Sequence, residues 1–331
     1  MRKILNHLFE YKTLSQNEAE EVLTNIAKGT YTDSEIAAFL TVYLMRAITV
    51  EELTGFRNAL LKLCVPVDLS DFTTIDVCGT GGDGKDTFNI STLSSLVLAG
   101  AGAKVSKHGN YSVSSSCGSS NVMETLGYKF SSDEEKLKSE IDKTGICFLH
   151  APLFNPAMKN VAPVRKSLRI KTFFNMLGPM VNPSFPQKQL VGVFSLELTR
   201  LYNYIYQDSG KDFVILFTLD GYDEISLTSP FKVISNNAEK LLTPGDLEMP
   251  TYRQEELFGG NTVAEAVLIF KNILEGKGTQ AQNDVVIANA TLGLSCYFPG
   301  KSMDECKELA TDSLLGKKAL HVLNKLIELN N

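Results

Sequence analysis

Several things are missing from this sequence, and each absence removes a class of protein. No apolar run approaches the roughly 20 residues that a membrane-crossing helix needs. The N-terminal stretch Met1-Arg2-Lys3-Ile4-Leu5-Asn6-His7 lacks the apolar segment and small-residue cleavage site of a signal peptide. There is no excess of positive charge. The formal net charge is −6, so the molecule as a whole repels nucleic acid and anionic membranes. No two cysteines are spaced C-x-x-C. Cys64, Cys78, Cys117, Cys147, Cys296 and Cys306 are scattered, which argues against a disulfide scaffold or a zinc site. Internal repeats and low-complexity segments are also absent. The expectation is a cytoplasmic protein with reduced thiols, partnered by neither nucleic acid nor membrane.

What is present is enough for a sizeable core. The 331 residues are 44% hydrophobic, which fits one large domain and a smaller one. The first seventy residues read as helices. Ser15 with Glu18, and Thr49 with Glu52, are capping boxes. Apolar residues follow at helical spacing: Ala19, Val22, Leu23 and Ile26, then Leu53, Phe56, Leu60 and Leu61. Between them, Asp33 can cap a helix over 34–46. That helix is apolar nearly all round, which predicts burial on both sides or a partner interface.

Around residue 74 the pattern changes. Strands are expected at 74–78, 103–106, 146–149, 190–194, 213–218 and 231–234. Helices are expected at 91–100, 119–126 and 132–144, with further helices in the last third, one opened by Ser302 and Glu305. Such alternation implies a mostly parallel sheet with helical layers. Residues 151–186 break it. They are rich in Pro and Asn, hold one helix-like piece at 161–168, and read as a connection back toward the helical region. The fold class is therefore α/β: a small all-helical domain over 1–70, with a return segment near 163–185, and a larger α/β domain over 71–162 and 186–331.

The first strand runs into Gly79-Thr80-Gly81-Gly82-Asp83-Gly84, and a helix follows. Strand, glycine loop and helix start make a phosphate-binding layout, because glycines let the backbone approach closely and free N–H groups favour anions. Two common motifs nearly fit. Gly79, Gly81 and Gly84 satisfy the dinucleotide pattern, but that pattern wants an acidic residue ending the next strand. Here the strand ends Ser106-Lys107-His108-Gly109, which is basic. Gly79 to Lys85 also approximates a P-loop, but Asp86 stands where a magnesium-binding hydroxyl belongs. A tight turn without ligand is the plain alternative.

Other segments converge on the same end of the sheet. Asn89-Ile90-Ser91-Thr92 opens the helix after the loop and can hold a second phosphate. Lys107-His108-Gly109-Asn110 ends the second strand. In an open parallel sheet, ligands sit at strand C-terminal ends. Lys107 supplies charge, while Ser114, Ser115 and Ser119 supply hydroxyls. His108 is equally compatible with packing and with catalysis. Asp223-Glu224 follows a strand, and either forms a solvated loop or supplies the hard oxygens Mg²⁺ prefers. Arg165 after Pro163 is either a surface arginine or a fork for a carboxylate.

Taken together these segments resemble the anthranilate phosphoribosyltransferase family. The residues carrying the resemblance are Gly79-Thr80-Gly81-Gly82-Asp83, Asn89-Ile90-Ser91-Thr92, Lys107-His108-Gly109-Asn110, Asn155-Pro156-Ala157-Met158-Lys159 through to Arg165, Phe174-Asn175-Met176-Leu177-Gly178-Pro179, and Asp223-Glu224-Ile225-Ser226. They occur in family order over nearly the whole chain. The resemblance implies a site in the hinge cleft of a nucleoside phosphorylase-like fold, a homodimer joined through helical surfaces, and a place in tryptophan biosynthesis. It implies phosphoribosyl pyrophosphate held by Gly79, Gly82, Asp83, Thr87, Asn89, Ile90, Ser91, Thr92 and the stretch Lys107, His108, Gly109, Asn110, Tyr111, Ser112, Val113, Ser114 and Ser115, with Ser119. Mg²⁺ would sit on Ser91, Asp223 and Glu224. Gly79, Asn110 and Arg165 would line the anthranilate site, and Lys107, His108, Asn110 and Arg165 are the candidate catalytic residues.

The chain departs from the family pattern at Tyr111-Ser112, where Arg-Ala is usual, at Ser116, where Lys is frequent, and at Phe154-Asn155, where His-His is usual. These changes remove positive charge near the diphosphate and alter the acceptor channel. Two other functions share parts of the pattern. A pyrimidine nucleoside phosphorylase has a related loop but needs no magnesium, against which the pair Asp223-Glu224 speaks. A non-catalytic relative that binds nucleic acid would need a basic groove, against which the acidic balance speaks.

Overall fold

The computed structural model describes residues 1–111 and 117–330. Along the chain, α1 (Arg2–Phe9), α2 (Gln16–Ala27), α3 (Asp33–Met45) and α4 (Val50–Leu63) come first. Then follow β1 (Ile75–Gly79), α5 (Ile90–Gly100), β2 (Val105–Gly109), α6 (Ser119–Thr125), α7 (Glu134–Thr144) and β3 (Ile146–His150). Short helices α8 (Ala151–Phe154), α9 (Ala162–Leu168) and α10 (Phe174–Leu177) lead to β4 (Lys188–Gly192), α11 (Leu196–Gln207), β5 (Asp212–Thr218), β6 (Phe231–Ser235) and β7 (Glu239–Leu242). The chain ends with α12 (Val263–Leu274), α13 (Gln280–Tyr297), α14 (Met303–Leu315) and α15 (Lys318–Glu328). No helix among the described residues is long and apolar enough to cross a membrane.

Two compact units emerge. One comprises Met1–Val67 with Ala151–Pro183, the other Asp68–His150 with Ser184–Asn331. The return segment of the helical unit therefore starts at Ala151, earlier than the expected 163. The reason is hydrogen bonding: the Val65 N–H donates to the Phe154 carbonyl, and Asn160 Nδ2 donates to the Ala27 carbonyl. These tie residues 151–162 to the first helices.

In the helical unit, three capping boxes start α2, α3 and α4. For α3 the cap is Thr32 with Glu35, not Asp33; Asp33 lies inside the first turn, where its charge suits the helix dipole. The core is aromatic. Phe56 stacks on Phe173 at 4.4 Å, and Phe39 and Tyr43 meet both edge-on. Glu52 is wholly buried beside it, accepting from Arg46 Nη1 at 2.9 Å and from the Leu14 N–H at 3.0 Å. The apolar faces of α3 are not all covered within the described chain: Met45 is 81% exposed and Leu44 is exposed as well.

The second unit is built on a seven-stranded sheet in the order β3-β2-β1-β4-β5-β6-β7. The first five pair in parallel, while β6 and β7 are antiparallel additions at one edge. The chain winds from β1 outward to β3, then returns to place β4 on the other side of β1. The switch point therefore lies between β1 and β4, where Gly79 pairs with Gly192. In an open parallel sheet the ligand crevice lies at the strand C-termini at such a switch point. β2 covers Val105–Gly109 rather than 103–106, because it runs level with β3 as far as the pair Gly109 and His150. Helix α5 is buried along almost its whole length and packs against α13, α14 and α15. Its polar residues are satisfied inside that core: Ser94 Oγ donates to the Val286 carbonyl and Ser95 Oγ to the Ser91 carbonyl.

Candidate active site

β1 delivers the chain to the switch point at Gly79, and the glycine loop then turns toward α5. Gly81 and Gly82 sit at φ 66° and 77°, a left-handed backbone that a side chain would strain. What the loop encloses is Asp223. Asp223 Oδ2 accepts a hydrogen bond from the Gly81 N–H at 2.6 Å. A Cβ on Gly79 would lie 2.3 Å from that same oxygen, and a Cβ on Gly192 would lie 1.5 Å from the Asp223 carbonyl oxygen. The paired glycines of β1 and β4 thus leave the space Asp223 occupies.

The neighbouring carboxylate is tied to the helix. Glu224 Oε1 accepts from the Ser91 N–H at 2.9 Å, in the first turn of α5. The 223–225 segment is held from behind. Thr218 Oγ1 donates to the Glu224 carbonyl, and the Asn289 side chain both accepts from the Ile225 N–H and donates to the Ile225 carbonyl. Burial raises the Asp223 pKa to about 7, with the Asp83 charge adding. Desolvation pushes Glu224 well up, and Asp223 and Asp83 add to it. Burial raises Asp83 also. Carboxylates crowded at a sheet end, each braced by a backbone N–H, are hard oxygen donors of the kind Mg²⁺ takes together with phosphate oxygens. Among the described residues no group of three or more His, Cys, Asp or Glu side chains is arranged to hold a metal ion.

The second arm is the end of β2. Lys107 is buried, with Nζ donating to the Val77 carbonyl at 2.6 Å. Desolvation lowers its pKa, while Asp76, Cys78 and Glu224 oppose that shift. The His108 N–H donates to Asp76 Oδ1 at 3.1 Å, and Gln189 Nε2 reaches Asp76 Oδ2. Asp76 thus splints β1, β2 and β4 below the site, a role no motif advertises. Gly109 packs under Ser119, whose Oγ donates to the Asn110 carbonyl at 3.3 Å. Asn89 occupies the N-cap position of α5 but makes no side-chain cap bond, sending Nδ2 instead to the Cys117 carbonyl at 3.2 Å. Ile90 and Thr92 are buried in the first turn of α5. Ser112, Val113, Ser114, Ser115 and Ser116 lie outside the described residues.

The loop also has a brace that sequence reasoning missed. Gly259 N–H donates to the Asp86 carbonyl at 2.8 Å, the Phe88 N–H donates to the Leu257 carbonyl, and Thr87 bridges to Phe258. A Cβ on Gly259 would meet the Thr87 carbonyl oxygen at 2.4 Å. The pair Gly259-Gly260 was the available signal. Lys85 Nζ lies 4.6 Å from the centre of the Tyr222 ring, a cation–π contact linking the loop to the residue before Asp223.

Arg165 belongs to the helical unit, on α9. Its Nη2 donates to Asn175 Oδ1 at 3.2 Å, and its guanidinium lies 5.4 Å from the Phe174 ring centre. Burial lowers its pKa. One polar and one aromatic neighbour orient the fork, so Arg165 is not a loose surface side chain. Phe154 and Asn155 are buried in the same unit, and Asn155 Nδ2 donates back to the Ala151 carbonyl.

Comparison with known proteins bears on both units. A model of the glycosyl transferase family a/b domain matches residues 71–320, and one of that family's helical bundle domain matches residues 2–64. The anthranilate phosphoribosyltransferase of Flavobacterium johnsoniae is 58% identical over 330 residues, covering 100% of both chains. That of Bacteroides fragilis is 52% identical over 330 residues, again covering 100% of both. Among solved structures, the anthranilate phosphoribosyltransferase of Thermus thermophilus superposes with a TM-score of 0.90 at 29% identity, covering 98% of each chain. The Saccharomyces cerevisiae enzyme in complex with PRPP and Mg superposes with a TM-score of 0.89 at 26% identity, covering 98% of this chain and 96% of that one.

Proposed function

This chain belongs to the anthranilate phosphoribosyltransferase family, and on that premise we propose that it transfers the phosphoribosyl group of phosphoribosyl pyrophosphate to the amine of anthranilate. The products are N-(5-phosphoribosyl)anthranilate and pyrophosphate, and the step belongs to tryptophan biosynthesis. The observation that carries this reading is the junction at Asp223-Glu224, which fastens the glycine loop through Gly81 and the α5 start through Ser91. A pyrophosphate bound there would meet loop amides and a helix N-terminus, beside carboxylates that would hold a divalent cation.

The aromatic amine is neutral near pH 7, so no strong base is needed to activate it. The barrier lies in breaking the C1–O bond through a cation-like ribose. Catalysis then consists of positioning the reactants and stabilising the leaving group. The amides of Gly79, Gly82 and Asp83, with Thr87, Asn89, Ile90, Ser91 and Thr92, bind the phosphoribosyl pyrophosphate. His108, Gly109, Tyr111, Ser112, Val113, Ser114, Ser115 and Ser119 complete that grip. Asp223 and Glu224, with Ser91, would hold Mg²⁺, which neutralises charge building on the pyrophosphate. Lys107 supports the field on that leaving group from below. Asn110 orients the acceptor and the Arg165 fork takes its carboxylate.

The enzyme acts in the cytoplasm, as a homodimer joined through helical-unit surfaces. The exposed Leu44 and Met45 on α3 support that interface. The nucleoside phosphorylase and nucleic-acid readings find no supporting feature to set against the paired carboxylates and the net charge of −6. Mass spectrometry of the reaction tests the proposal. With anthranilate and phosphoribosyl pyrophosphate the protein should yield the phosphoribosyl adduct, with equimolar pyrophosphate. Pyrophosphate release that ignores the acceptor would overturn it.

A further inference from the structure

A buried histidine that the mechanism does not use stands beside the acceptor residue Asn110. His150 ends β3, in register with Gly109 of β2, and is only 6% exposed. Its Nδ1 lies 2.9 Å from Ser120 Oγ, in the first turn of α6. Its ring stacks on Phe130 at 4.6 Å and takes the Tyr111 ring edge-on at 4.8 Å. Burial lowers its pKa, with Glu124 opposing and His108 adding. The ring is therefore neutral at ordinary pH, with one nitrogen donating and one accepting.

Two of the three residues resting on His150, Ser120 and Tyr111, hold Asn110. Ser120 donates its backbone N–H to the Asn110 carbonyl at 3.2 Å. Tyr111 donates its backbone N–H to Asn110 Oδ1 at 2.8 Å, which turns that oxygen back toward the main chain. Tyr111 itself is fixed at its far end, where the hydroxyl meets both Glu124 oxygens at 3.2 and 3.3 Å. Two of the bonds that set Asn110 thus come from neighbours that share one imidazole, while Ser119 Oγ adds a third at the carbonyl. Tyr111 is also where the chain departs from the Arg usual in the family.

We propose that His150 is a positioning residue for acceptor binding, acting through Ser120 and Tyr111 to fix the carbonyl and side-chain rotamer of Asn110. The inference rests on the acceptor role proposed for Asn110.

The test compares steady-state kinetics of His150→Phe, His150→Asn and Ser120→Ala with the wild-type enzyme. His150→Phe keeps the stacking but loses the Ser120 bond, and Ser120→Ala loses it from the other side. Each should raise KM for anthranilate by about 3- to 10-fold, the factor one ordinary hydrogen bond supplies. KM for phosphoribosyl pyrophosphate should rise less than that for anthranilate, because the lost bond runs through Ser120 to the Asn110 carbonyl, while Tyr111, part of the pyrophosphate grip, keeps its hydroxyl on Glu124. The double variant should cost no more than the larger single change, because both remove one bond. An Asn amide can replace Nδ1 toward Ser120 but not the ring that seats Tyr111, so His150→Asn should recover only part of the anthranilate KM. An unchanged anthranilate KM in both single variants, or equal rises for both substrates, overturns the proposal. Imidazole ¹⁵N spectra read the network without substrate: one His150 tautomer in the wild type, a mixture in Ser120→Ala. Wild-type protein without anthranilate turnover but with that signature sinks the enzymatic reading and leaves the network standing. A spectrum unchanged by Ser120→Ala sinks the network alone.

Discussion

Gly79→Ala is the substitution whose consequence is most directly set by geometry. The new Cβ would lie 2.3 Å from Asp223 Oδ2 and 2.9 Å from its Cγ, where ordinary contact begins at 3.4 Å. The strand has no slack, because Gly79 pairs with Gly192 and Thr80 N–H donates to the Gly192 carbonyl. Asp223 must therefore retreat by about 1 Å, and a displacement of that size at a reacting centre costs on the order of 10²-fold in rate. It also weakens the Gly81 N–H bond to Oδ2, worth about 0.5–1.5 kcal/mol while the carboxyl is neutral and about 1.5–3 kcal/mol once it is charged. The expected phenotype is a folded protein with a circular dichroism spectrum like the parent's, a thermal midpoint lower by several degrees, and kcat/KM down about 100-fold. The higher magnesium concentration needed for half-maximal activity is the specific sign, since the displaced group is a proposed ligand. A variant with kcat/KM within threefold of wild type and the same magnesium dependence would refute the placement of Asp223 as the group the loop is built around.

Other substitutions probe separate parts of the account. Asp223→Asn with Glu224→Gln should abolish the magnesium response of turnover; wild-type turnover with wild-type metal dependence would remove both from the metal site. Lys107→Met should lower kcat about 10²-fold with the fold intact, the usual cost of one preorganised donor, and a stopped-flow or steady-state assay decides it. Arg165→Ala should chiefly raise KM for anthranilate and leave KM for phosphoribosyl pyrophosphate alone. In the helical unit, burial raises the Glu52 pKa, but the Arg46 guanidinium and the Leu14 and Thr49 N–H groups outweigh it and hold the carboxyl below its ordinary value. A depressed folded value means the contribution is full above the ordinary glutamate range and disappears as pH falls through the folded value. Glu52→Gln strands Arg46, whose side chain is only 12% exposed, and should cost about 3 kcal/mol in urea unfolding at pH 7, a gap that narrows on acidification.

Local signals carried much of the architecture. The capping boxes at Ser15, Thr49 and Ser302 mark true helix starts, because the cap and its partner lie three residues apart. The alternation of strands and helices shows the parallel sheet, and the glycine loop shows where its ligand end lies. Features decided by tertiary pairing were not legible. Thr32 outcompetes Asp33 as a cap because it has Glu35 at the right distance to reciprocate. β2 is longer than its apolar pattern because β3 runs beside it to His150. The short edge strand β7 has no apolar pattern, its residues being mostly exposed. At the site, Asp223 meets Gly81 across 142 residues of sequence, so nothing local could reveal that the loop is folded around that carboxylate. The Asp76 splint is invisible for the same reason, and of the Gly259 brace only the pair Gly259-Gly260 shows in the sequence.

The central claim is that the junction of loop, helix start and carboxylates serves magnesium-dependent phosphoribosyl transfer to anthranilate. Anthranilate fluorescence followed in time tests it most directly. The signal should decay only when protein, phosphoribosyl pyrophosphate and Mg²⁺ are all present, stop on chelation, and resume when magnesium is restored in excess. A signal that stays constant under every condition, or decays equally well with the metal chelated, would contradict the account.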